Sequence, residues 1–164
     1  MEKTSREITS DLYALIGASY LAQMVNGKVY LEGTRPRDSR AEDIVIVYLA
    51  GQPGEIQSCM VNVQVFVPDV DPWEDGVQVE DYQRTLAIER EAAQMVVDLT
   101  CAVSNYRIRL NETIHTAAAE DIGQHFVVVP LRVDYWADAS VDDIEHDIDV
   151  FRKSQTRYFK VKSL

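Results

Sequence analysis

Ile8, Leu12, Leu15 and Ile16 recur at offsets of four, three and one, which draws a single apolar stripe along a helix. Thr4 and Glu7 make the Thr-x-x-Glu capping box that satisfies free N–H groups at a helix start. Asn26-Gly27 tolerates the left-handed backbone that ends one, so the spacing predicts a helix over about residues 5–25. The period then changes from 3.6 to 2. Residues 28–31 read as a short strand. Residues 32–42 read as a loop that Glu32, Arg35, Arg37, Arg40 and Glu42 keep in water. Residues 43–49 are apolar on both faces and suit a central strand. Gly51-Gln52-Pro53-Gly54 is a turn. Beyond it Val61, Val63, Val65 and Val67 share one face, with Asn62 and Gln64 on the other, and residues 43–67 read as an antiparallel hairpin.

Two prolines and a glycine keep residues 68–79 irregular. A second long helix is expected over 80–103, with Ile88, Ala92, Met95, Leu99 and Ala102 on its apolar face. Residues 106–115 alternate, with Ile108, Leu110 and Ile114 opposite Arg107, Arg109 and Asn111; residues 117–124 read as a loop. In the last strand, 126–136, Val127, Val129, Leu131, Val133 and Tyr135 share the core face. Pro130 cannot donate to a ladder and marks that strand as an edge or a bulge. Residues 134–149 then hold seven acids and no base, and 152–162 five bases and no acid. Val141, Ile144, Ile148 and Phe151 have helical spacing with Ser140 as cap, while Tyr158–Val161 suits a strand or an extended arm. The chain reads as an α+β fold: a mostly antiparallel four- to five-stranded sheet with two long helices packed on one face. Residues 1–137 form that domain, and 138–164 a C-terminal helix or arm, acidic and then basic.

Composition narrows the function only a little. A chain of 164 residues, 46% hydrophobic and 26% charged, buries a core without staples and is not disordered throughout. A net charge of −11 argues against sequence-independent nucleic-acid binding. No apolar run nears the ~18 residues of a membrane span, so no membrane partner is expected. The Met-Glu-Lys-Thr-Ser-Arg-Glu start lacks the apolar core of a signal peptide. Two cysteines suggest a reducing compartment, and Cys59 and Cys101 are both expected to be buried and inert.

Motifs of catalysis are missing from the sequence. It holds no Gly-x-Ser-x-Gly, no Gly-x-Gly-x-x-Gly and no Gly-Lys-Ser/Thr phosphate loop, and His115, His125 and His146 make no ligand pair on one helix face. No catalytic residue and no cofactor is therefore assigned, and the chain is not expected to be an enzyme. Asp69, Asp71, Asp75 and Glu80 fall at the first, third, seventh and twelfth positions of a window that hints at a calcium loop. Glu74 stands where such a loop wants Gly, and Pro72 stiffens it, so a solvated acidic loop is the favoured reading. Trp73 there suits a contact of the loop with its own domain or with another subunit. Arg107, Arg109, Arg132 and Asp134 place charge on one sheet face, either solvated or packed on another subunit. The tail bases, among them Arg152, Lys153 and Arg157, either neutralise the chain's own acids or dock on a neighbour's.

The helix running into Val25-Asn26-Gly27-Lys28-Val29-Tyr30 is followed by a charged loop, the run Asp43-Ile44-Val45-Ile46-Val47-Tyr48, a turn, Val61-Asn62-Val63-Gln64-Val65-Phe66 and a long helix. This order resembles the bacteriophage tail-completion, or tail terminator, proteins over about residues 8–135. The resemblance implies a phage or prophage structural protein forming a ring, typically a hexamer, at the head-proximal end of the tail. Its partners would be copies of itself, the tail-tube protein and the head connector, with DNA sliding through an acidic lumen without specific binding. It would act in the host cytoplasm during assembly and then in the virion tail. The longer 68–79 loop and the charged C-terminus depart from that pattern. The alternatives are a small metal- or ligand-binding α+β domain using the acidic loop, and an acidic protein-interaction module.

Overall fold

A computed structural model describes residues 2–137 and 144–162; the side chains of Ala102 and of 157–162 are outside that description. Ser140, Val141, Asp138, Asp142 and Asp143, singled out above, also lie outside the described residues. Helix α1, Ser5–Gly17, starts as expected, with the Thr4 hydroxyl accepting the Glu7 N–H. The expected single helix breaks after it, and α2 is Tyr20–Met24. Ser19 causes the break: its hydroxyl donates to the Ile16 carbonyl and accepts the Ala22 N–H, closing one helix and capping the next. The other helices are α3, Tyr82–Ala102, capped by Asp81, and α4, Ile144–Lys162. Helical backbone therefore runs through 158–161, where a strand or arm was expected.

Six strands form one mixed sheet: β1 Val29–Leu31, β2 Ile44–Gln52, β3 Gln57–Pro68, β4 Tyr106–Leu110, β5 His115–Ala119 and β6 Gln124–Tyr135. The order is β1-β2-β3-β6-β4, and β5 also pairs with β6. All pairings are antiparallel except β1 with β2, which is parallel. The parallel step is possible because residues 32–43 carry the chain back to the sheet end where β1 began. The alternating valines behave as expected: Val61, Val63, Val65 and Val67 lie opposite Leu131, Val129, Val127 and His125 in the β3–β6 register.

Two expectations about the second half need correction. The strand expected over 106–115 stops at Leu110 and resumes as β5, taking in 117–119, which had read as loop. The strands β4 and β5 lie end to end along one side of β6. That arrangement explains Pro130, which sits in a central strand and not at an edge. Its carbonyl accepts the Asn111 N–H at 2.8 Å, on the β4–β5 side. The N–H and C=O of one strand residue point to the same side. The donor that proline lacks thus faces Asn111, just past the end of β4, so the bonds between β4 and β6 themselves are untouched.

The core lies on one face. Ile8, Leu12, Leu15 and Ile16 of α1, and Ile88, Ala92, Met95 and Leu99 of α3, are buried against the inward residues of β2, β3, β4 and β6. Phe151 of α4 is fully buried in the same cluster. Gln155 seats that helix, accepting the Tyr20 N–H and donating to Asp98. No described helix is long and apolar enough to cross a membrane.

Candidate assembly surfaces

The face of the sheet without helices divides into two ends. At one end the 32–43 loop folds over it, and this loop does not simply sit in water. Glu42 and Asp43 are only 6% and 1% exposed. Glu42 accepts both Nε (2.6 Å) and Nη2 (2.8 Å) of Arg84 from α3, while Asn26 exchanges hydrogen bonds with its backbone and carboxylate. These bonds hold the Arg84 guanidinium above its ordinary value, against the opposing effect of burial. Asp43 accepts from Arg35 Nε at 2.9 Å, from the Ser39 hydroxyl and from the Lys28 N–H. Burial raises its pKa, but those donors together carry it below the usual carboxylate value. Arg35 lies 4.0 Å above the Phe66 ring and donates to Gln124. Gly27, read above as a helix stop, is needed because a Cβ there would meet the Glu42 backbone at 2.5 Å.

At the other end the face carries the arginines singled out above. Arg107 lies opposite Asp134, and Arg109 directly opposite Arg132, across the β4–β6 ladder. Asp134 accepts the Ser58 hydroxyl at 2.6 Å and has Arg132 and Arg109 at 3.6 and 4.0 Å. Two guanidiniums beside one carboxylate, with Arg107 on the same face, leave this corner cationic in an acidic chain. Like charges directly opposite on a sheet destabilise it. Next to Arg132 is a depression of about 310 Å³ bounded by Gly51, Ser58, Met60 and Asn111. Met60 and Asn111 were not foreseen here. The depression depends on the register shift between Tyr48 and Ala50 and on the end of β4, neither of which periodicity shows.

The 68–80 loop projects from the opposite end of β3. Val70 and Val79 pair through two backbone hydrogen bonds of 2.9 and 2.8 Å. The four acids of the calcium-like window do not converge. Asp69 meets His125 Nδ1 at 2.6 Å, Asp71 accepts the N–H groups of Asp75 and Gly76, Asp75 accepts that of Val77, and Glu80 accepts the Thr85 hydroxyl. No group of three His, Cys, Asp or Glu among the described residues is placed to hold a metal ion. Glu74, at the position where Gly was wanted, adopts a positive φ of 53° all the same. Trp73 is 70% exposed at the tip.

The C-terminal bases are arranged differently. Lys153 lies 3.0 Å and Arg152 4.0 Å from Asp149, both one turn along α4, and the Lys153 hydrogen bond draws the Asp149 pKa down. The Arg157 side chain lies outside the described residues. Among the described acids of the 134–149 run, two are buried: Asp134 on the helix-free face as above, and Asp147, which accepts the N–H and hydroxyl of Ser104. The cysteines also part company. Cys59 is buried on the core face, which pushes its thiol up to about 11, whereas Cys101 is exposed because it lies off the α3 stripe. No family model matches the chain, and no curated protein matches it in sequence.

Proposed function

We propose that the chain is a structural subunit of a phage or prophage tail, acting as a tail terminator or head–tail joining protein that closes into a ring. The observation that carries the reading is the one-sided build: among the described residues, α1 and α3 pack on one face of the sheet, and α2 and α4 pack on those helices. The other face keeps an uncovered end, where arginines, an amide and a methionine surround a shallow depression. Such a face serves contact with another protein better than enclosure of a substrate. The described order, α–α–β–β–β–α–β–β–β–α, keeps the helix, three strands and long helix on which the resemblance rests, with one more helix break and one more strand than the sequence reading had. The net charge of −11 suits a lumen through which DNA slides without sticking.

Light scattering after size exclusion, alone and with a phage tail-tube protein, tests this reading. The expected product is one closed oligomer of defined mass, seen as a ring by negative-stain microscopy. A chain that stays monomeric in both conditions overturns it.

A further inference from the structure

We infer that the ring contact, which rests on the reading just given, is made by the Trp73 loop of one copy seated on the Arg107–Arg109–Arg132 corner of the next. The two surfaces match in charge. Asp71, Glu74 and Asp75 flank Trp73, while the corner sets three arginines against the single Asp134. They also match in shape. The depression beside Arg132 has the size to take an indole, and its guanidinium rim offers a cation–π contact with the ring. Trp and Arg are the residues most often found to dominate interface energetics. The mutual bonds of Val70 and Val79 and the Asp71 and Asp75 caps hold the loop in shape before contact, which lowers the ordering cost of binding. An acidic partner would also relieve the facing guanidiniums of Arg109 and Arg132.

Position decides who the partner is. The corner pairs with the Ser58–Met60 end of β3 and the loop leaves from Pro68, roughly 25 Å along the strand at ~3.3 Å per residue. One molecule therefore carries the plug at one end and the socket at the other. Plug and socket on distinct surfaces make a heterologous contact, the kind that closes rings. A second copy is thus the fitting occupant. Duplex DNA, the other polyanion that three arginines attract, is disfavoured by the acidic charge of the whole chain.

The test uses the full chain in two variants, Trp73→Ala and Arg109→Glu with Arg132→Glu, each checked for native circular dichroism and melting. Wild type should grow beyond dimers with concentration, while each variant associates at least tenfold more weakly. An equimolar mixture of the two variants keeps one intact socket and one intact plug, so it should stop at dimers. Assembly of either variant like wild type overturns the proposed contact and leaves the ring reading standing. So does retention of a DNA duplex by wild type that the arginine variant loses. Wild type that is monomeric even at millimolar concentration and with tube protein overturns both.

Discussion

Adjacent residues of β3 face two different environments. Val61, Val63, Val65 and Val67 point into the helix layer and are buried. Met60, Asn62, Gln64 and Phe66 point to the other side, which has only the 32–43 loop across one end. The covered face is held by transfer of apolar surface from water, which is non-directional and large in sum. The other face is held by directed contacts: Arg35 on Phe66, the Asp43 and Glu42 networks, Ser58 on Asp134. This contrast makes one side a stability element and leaves the other free to evolve as a recognition surface.

The largest expected effect tests that division. Leu12→Ala, in the middle of the helix layer, should cost about 3–5 kcal/mol in urea denaturation, by lost transfer energy plus a cavity. Phe66→Ala, on the half-covered side, should cost only about 1–2 kcal/mol despite the bigger side chain. Equal costs would mean that the two faces are not different in kind. Next comes Glu42→Gln, which keeps the shape but removes the charge that Arg84 binds. It should cost about 1–3 kcal/mol by the same measurement, since a partly buried guanidinium then loses its ionic acceptor.

The covered face was legible in the sequence and the other side was not. The stripe Ile88, Ala92, Met95, Leu99 announced α3 to within two residues, and the alternating valines gave the β2–β3 pairing, because burial on one side imposes a period. No period marks Ser19, a polar residue inside an apolar stripe, whose capping bonds divide α1 from α2. The loop 32–42 looked solvated because charge normally stays in water. Only the three-dimensional arrival of Arg84 and of the Lys28 N–H reveals why Glu42 and Asp43 are buried. Arg107, Arg109, Arg132 and Trp73 were picked out from residue type. That the arginines and the tryptophan stand at opposite ends of the sheet is a matter of register, which the sequence does not print.

A smaller effect concerns acid. Asp43 is held below its ordinary pKa in the folded chain, so its contribution to stability is complete above the unfolded value of about 3.9 and is lost as pH falls through the folded one. Urea midpoints of wild type and Asp43→Asn should therefore run parallel from pH 7 to about 5 and converge below about 4. Curves that stay parallel to pH 3 would show that the directed network at this end carries no charge-dependent stability.

The smallest effect is expected at Pro130, and it sharpens the comparison because the residue lies in the strand both sides share. A proline inside a paired strand usually removes a ladder bond, so its replacement by alanine would restore one and stabilise the sheet. Here the missing N–H faces the break after Leu110, where Asn111 already donates to the Pro130 carbonyl. An alanine N–H would face Asn111, one residue beyond the end of β4, so no bond between β4 and β6 themselves is at stake. What remains is the unfolded chain, which gains freedom when proline is removed. Pro130→Ala should accordingly lower stability by about 0.4–1 kcal/mol, with no change in the urea m-value. A gain in stability would show that β4 and β5 can close their gap into one strand when given a donor, and that the break is imposed by the proline and not by residues 111–114.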